Sequence, residues 1–213
     1  VHDGALIGFD RATGERRWEV PAGEELRALD GLFVTTSEVV SGYDRNGEER
    51  WQRDLDADPF PAESAHAASG TLFLNHDGAV VAVDVTTGET RWRVEHATAI
   101  ATAGDTAVVA RSDECADADE SVGYVLVARD VESGAVEWRA GEEYDECKGV
   151  EADGDGVIVE LPGAGGSTFV RFDADGNSNW RASADLLYWI VAGGRVVGID
   201  HRGSLTCLEP GYL

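Results

Sequence analysis

The stretch AVDVTTGETRW, residues 82–92, decides the fold. An alternating apolar run ends at Asp84, the chain turns through Thr87-Gly88, and the segment closes on Trp92. Near copies stand at 8–18 (GFDRATGERRW), 41–51 (SGYDRNGEERW), 128–138 (ARDVESGAVEW) and 171–180 (RFDADGNSNW). In each, the glycine precedes the tryptophan by four residues: Gly14–Trp18, Gly47–Trp51, Gly88–Trp92, Gly134–Trp138 and Gly176–Trp180. The aspartate precedes that glycine by four residues at Asp10, Asp84 and Asp130, and by three at Asp44 and Asp173. A constant Gly-to-Trp step behind a turn of variable length is how a β-hairpin with a left-handed glycine behaves.

Working outward, short β-branched or aromatic runs lead into the aspartates: GALIGFD, AVVAVD, YVLVARD and STFVRFD. Second apolar runs precede them (LFVTT, TLFLNHDG, TAVVARS, GVIVELPG, RVVGID), and weaker ones precede those, as in ATAIATAGD and LLYWIVAGG. The five tryptophans at 18, 51, 92, 138 and 180 are separated by 33, 41, 46 and 42 residues. About four strands and no helix per period is the pattern of a propeller blade. The expected fold is therefore all-β: a β-propeller of four-stranded antiparallel blades, about five of them, forming one domain over residues 1–213. With strands lettered A to D from the hub outward, the Asp-to-Gly turn joins C to D, and the tryptophan lies on D.

The D-x-x-T-G-x-x-x-W pattern resembles the repeat of quinoprotein-like β-propellers, the PQQ-like repeat. The resemblance covers nearly the whole chain. It implies tryptophans docked between neighbouring blades, where a flat ring fills the wedge between outer strands and its indole N–H needs an acceptor. HDGAL at 2–6, HDGAV at 76–80 and HRGSL at 201–205 occupy one repeated B–C turn, which marks His2, His76 and His201 as structural. Either five blades close by joining the two ends, or the chain is an arc of a larger ring. The absence of methionine favours a trimmed window, with a leader or upstream segment removed.

Forty-one acids face 17 bases, a formal charge of −24, and Lys148 is the one lysine. So acidic a chain repels nucleic acid and anionic lipid, and no run of about 18 apolar residues exists to insert in a membrane. Acids spread along the whole chain point to high-salt adaptation, as in a halophilic archaeon, where screening weakens their repulsion. The alternative is an acidic patch for calcium or a basic partner.

Cys115 lies in an insertion between strands B and C of the fourth unit, and Cys147 between its D strand and the next A strand. A meander brings those connections to one face, so a Cys115–Cys147 disulfide is expected, against the alternative of two unrelated thiols. Cys207 alternates into SLTCLE as a small buried hydrophobe. Calcium candidates in the insertion are Asp113, Glu114, Asp117, Asp119 and Glu120, with Glu142, Glu143, Asp145 and Glu146 on the same face; a solvated acidic loop is the competing reading. DADGNSN at 173–179 has the alternating oxygens of a calcium loop, but Ala184 stands where the closing glutamate belongs. DGDG at 153–156 reads as an A–B turn.

Family resemblance raises a dehydrogenase that binds pyrroloquinoline quinone and calcium. Such enzymes carry adjacent cysteines near the quinone, and none are adjacent here, nor is there a basic cluster for a tricarboxylated quinone. No Gly-x-Ser-x-Gly elbow or helical metal-spaced histidine pair appears, and His66 and His96 are isolated. Trp189 departs from the repeat and either packs between blades or lines the channel. The expected role is a non-catalytic scaffold without a cofactor, binding a protein or glycan outside the cytoplasm, with the cysteine-bearing loop as contact surface. A non-enzymatic branch of the family includes an outer-membrane assembly lipoprotein and kinase sensor domains. A portion of a quinoprotein dehydrogenase is the alternative.

Overall fold

A computed structural model describes residues 4–22, 25–29, 31–36, 39–54, 66–76, 78–112, 123–140, 147–154 and 156–208. They contain strands and turns, with no helix among the described residues. The first sheet has two strands, β1 (Ala5–Phe9) and β2 (Arg16–Pro21). The second has four: β3 (Glu25–Leu29), β4 (Leu32–Thr36), β5 (Val39–Asp44) and β6 (Glu49–Asp54). The third comprises β7 (His66–Ala68), β8 (Thr71–His76), β9 (Ala79–Asp84) and β10 (Thr90–Glu95). The fourth holds β11 (Ala97–Ala103), β12 (Thr106–Ser112), β13 (Tyr124–Asp130) and β14 (Val136–Arg139). The fifth holds β15 (Gly149–Asp153), β16 (Gly156–Gly163), β17 (Gly166–Phe172) and β18 (Ser178–Ala184), and the sixth β19 (Tyr188–Val191), β20 (Val196–Ile199) and β21 (Leu205–Leu208).

Strand order follows chain order in every sheet, so each is a meander closed by tight turns. Four full four-stranded sheets flanked by partial ones agree with a propeller of about five blades. The weak apolar segments ATAIATAGD and LLYWIVAGG form the inner strands β11 and β19.

The chain divides into two compact units, Val1–Asp77 with Val81–Trp92, and Gly78–Val80 with Arg93–Leu213. The first unit's core gathers Val34, Val40, Trp51, Leu72, Val83 and Val85. In the second, Val108, Ala110, Leu126 and Ala128 of the fourth sheet pack on Val157, Val159 and Val170 of the fifth. Ile158 and Phe169, on the fifth sheet's opposite face, meet Trp180 and Val196. Central strands are therefore buried on both faces, which is why they read as continuous apolar runs. Each fully buried Val, Leu, Ile or Phe among them contributes about 1.5–3 kcal/mol.

Local chemistry builds the repeated hairpin. The Asp84 Oδ1 accepts the backbone N–H of Thr86 at 2.8 Å and of Thr87 at 2.9 Å. The Gly88 N–H donates to the Asp84 carbonyl at 2.8 Å, with Gly88 at φ 74°. Asp10, Asp44, Asp130 and Asp173 cap their own turns in the same way. Asp200 makes a sixth copy, accepting from Arg202 and Ser204 at 2.8 Å in the B–C turn that carries His201. DADGNSN is thus a hairpin turn, its Asp173 Oδ1 occupied by the N–H groups of Asp175 and Asn177. All six carboxyls are held below the ordinary carboxylate range by these donors; for Asp84 the Arg91 guanidinium is the largest cause, with burial opposing it.

Trp18, Trp51 and Trp138 each then lie against two small residues. On its own C strand it faces Gly8 (Trp18), Gly42 (Trp51) or Ala128 (Trp138), next to a bulge. On the following turn a Cβ placed on the glycine would meet the ring at 2.6–2.7 Å: Gly47 under Trp18, Gly88 under Trp51 and Gly176 under Trp138. Trp18 donates to the Arg45 carbonyl at 2.9 Å and Trp51 to the Val85 carbonyl at 2.8 Å, in both cases the residue after the capping aspartate. Trp92 packs on Phe73 with ring centroids 5.6 Å apart.

Candidate functional site

The fifth repeat breaks this pattern at one position. Two residues before the aspartate, the other repeats carry Gly8, Gly42, Ala82 and Ala128, whereas the fifth carries Arg171. Arg171 stands opposite Trp180 in the β17–β18 register. Its Nε donates to the Oδ2 of Asp153 at the end of β15. Asp153 is 6% exposed and its partner's side chain 16%, so the pair is largely withdrawn from water. Burial of this kind is tolerated because the two charges meet each other.

Trp180 is 5% exposed, and its Nε1 is buried without an acceptor. Trp138 Nε1 shares that state, although its ring rests on Gly176 and stacks on Phe172 at 6.2 Å. Trp180 instead lines an open cleft of about 690 Å³. The walls are the A–B turn at Asp153-Gly154, Arg171, Asn179, and the next A–B turn, Gly193–Arg195. Gly193 and Gly194 take φ of 60° and 76°, and Gly194 passes within ordinary contact of the Asp153 carboxylate. The lining carries the amide of Asn179, the guanidinium of Arg195, and the Arg171–Asp153 pair. Such a set suits a ligand bearing acceptor oxygens, such as backbone carbonyls or hydroxyls. Among the described residues that line it there is no serine, cysteine or histidine.

The other residues singled out by sequence fall as follows. Cys115, Asp113, Glu114, Asp117, Asp119 and Glu120 lie outside the described residues, as do Glu142, Glu143, Asp145 and Glu146, so the proposed disulfide and acidic cluster do too. Cys147 is half-buried, its Sγ 3.8 Å from the Gly149 carbonyl oxygen. Cys207 is exposed, not buried as expected. It sits on the solvent-facing side of the edge strand β21, together with exposed Tyr188, Ile190, Ile199 and Leu205, so strand alternation carries it outward. Trp189 packs: it meets Phe169 edge-on at 5.1 Å, and its Nε1 donates to Glu160 Oε2 at 2.7 Å. His201 lies 3.5 Å from Asp185, both exposed.

A quinone–calcium centre would need a set of hard oxygen ligands. No group of three or more histidine, cysteine, aspartate or glutamate side chains able to hold a metal occurs among the described residues. With no adjacent cysteines in the chain either, the described residues supply no set that fits that group.

Residues 76–210 match the family model described as Outer membrane protein assembly factor BamB. No curated protein sequence is significantly similar to the chain. Among solved structures, BamB from Moraxella catarrhalis is 18% identical, with 96% of this chain and 78% of that one covered and a TM-score of 0.42. The computationally designed Ika8 protein is 14% identical, with 96% and 65% covered and a TM-score of 0.66. Quinohemoprotein alcohol dehydrogenase from Comamonas testosteroni is 14% identical, with 88% and 41% covered and a TM-score of 0.56. The chain thus spans less than half the length of that dehydrogenase. Likeness at such identity speaks for the fold alone. The family model covers more than half of the chain and carries the same repeat, so the protein belongs to the outer membrane assembly factor BamB family of PQQ-like repeats.

Proposed function

We propose that the protein is a non-catalytic scaffold that holds a polypeptide partner outside the cytoplasm, with the cleft at Trp180 as a point of contact. One observation carries this reading: an open cleft walled by two A–B turns presents the exposed amide of Asn179 beside the exposed Arg195. A partner segment that places a carbonyl in the cleft meets the Asn179 amide and the Arg195 guanidinium at its rim. Membership in a family described as an outer membrane assembly factor supports a protein partner and an envelope location.

The test is photo-crosslinking with a benzophenone amino acid at exposed Asn179 and, as control, at exposed Glu132 in the host cell envelope. A discrete polypeptide adduct from position 179 alone, reduced several-fold by Arg195→Gln, is the expected result. Equal labelling from both positions, or none from 179, overturns it, and a glycan adduct there would replace the polypeptide with a carbohydrate. Stoichiometric uptake of pyrroloquinoline quinone with calcium, followed by dye reduction, would establish the dehydrogenase alternative instead.

A further inference from the structure

In so acidic a chain, a carboxylate is the expected partner of an arginine. Arg16, Arg17, Arg50, Arg91, Arg93 and Arg171 each pair with one. The fourth sheet carries three more. Its register sets Arg111 opposite Val125, Arg129 opposite Ala107, and Arg139 opposite Val127. Paired residues, and residues two apart along a strand, share a face. All three arginines therefore lie on one face of that sheet, opposite the face that buries Val108, Leu126 and Ala128.

Among the described residues, no carboxylate pairs with any of the three. Arg129 gives one Nη to the Gly134 carbonyl at 2.7 Å, but the Nε atoms of Arg129 and Arg111 are buried without partners. Two described acids of this sheet are engaged elsewhere: Asp130 Oδ1 accepts from Ser133, and Glu137 accepts from Thr106 at 2.8 Å. Burial, then the repulsion of Arg139 and Arg111, lowers the proton affinity of Arg129. Arg111 and Arg129 are half-buried and Arg139 exposed, and like charges gathered on one face are costly unless an anion sits among them. The guanidinium fork matches the paired oxygens of a carboxylate or phosphate.

We propose that this face of the fourth sheet, at Arg111, Arg129 and Arg139, binds a compact oxyanion, either a free phosphate-type ion or a carboxylate on an acidic peptide. The site is separate from the Trp180 cleft and does not depend on the scaffold reading.

The test is calorimetric titration of the full chain at constant ionic strength in KCl, with inorganic phosphate in one arm and a tetraglutamate peptide in the other. Saturable binding is expected in at least one arm, weakened about tenfold by Arg139→Gln and by Arg111→Gln. Phosphate alone identifies a free anion as the source, and peptide alone a protein carboxylate. General salting effects would persist unchanged in both variants, which separates them from a site. Stability of Arg139→Gln in KCl alone should hold or rise, because a repulsion is removed. No saturable binding in either arm, variants that bind like the parent, or a clear loss of stability in KCl alone would each overturn the proposal.

Discussion

Replacing Gly42 by alanine tests the docking of the tryptophans more directly than removing a ring. Trp51 is 8% exposed, packed in the first unit's core, and donates to the Val85 carbonyl at 2.8 Å. A Cβ at Gly42 would stand 2.4 Å from Cε2 of that ring, closer than any real contact, and an indole cannot fold out of the way as a flexible chain can. Overpacking of this kind costs about 1–3 kcal/mol. Trp51→Ala alone removes the ring and strands the Val85 carbonyl, at about 3–5 kcal/mol. In the double variant the added methyl enters the space the ring left, so Gly42→Ala should become neutral or favourable there. Urea unfolding of all four members of the cycle, at one KCl concentration, gives a coupling of about 1–3 kcal/mol if the sterics are right. An alanine that costs the same with and without Trp51 would refute the reasoning, because the penalty would then come from the strand backbone.

Gly88→Ala should cost more than Gly14→Ala by about 1–3 kcal/mol: both have positive φ, but only Gly88 lies under a ring, at 2.7 Å from Trp51. Equal losses in chemical denaturation would leave the platform role without support. The Asp84 carboxyl, depressed first by Arg91, contributes stability that is complete above the unfolded value of about 3.9 and is lost as pH falls through the lower folded value. Asp84→Asn should therefore cost about 1 kcal/mol at neutral pH and nothing in strong acid, and a constant deficit across an acid titration would contradict the sign. With a charge of −24, thermal stability should climb steeply with KCl, and a flat or falling midpoint would count against high-salt adaptation.

The spacing of Asp, Gly and Trp was sufficient to read the hairpins, the sheet count and the propeller, because those features are local. An aspartate caps its own turn within four residues, and a left-handed glycine follows from the same short stretch. The inner strands β3 and β7 were nearly silent, being short and weakly apolar, and only pairing with β4 and β8 identifies them. The departure that locates the cleft was visible as one letter, Arg171 in the place of Gly8, Gly42, Ala82 and Ala128, yet its meaning was not. That meaning depends on Asp153, 18 residues away, and on a tryptophan left without an acceptor. Cys207 read as buried because alternation alone cannot tell which side of β21 is covered. The arginine face arises in the same way, from residues on three strands that only the sheet's register brings together. Sequence by itself determined the repeated hairpin and the architecture that such repeats build, since short-range hydrogen bonds and φ preferences are written in adjacent residues. Tertiary structure decided which donors stay unsatisfied and which charges stay unpaired, since those depend on what strands distant in the chain place against one another.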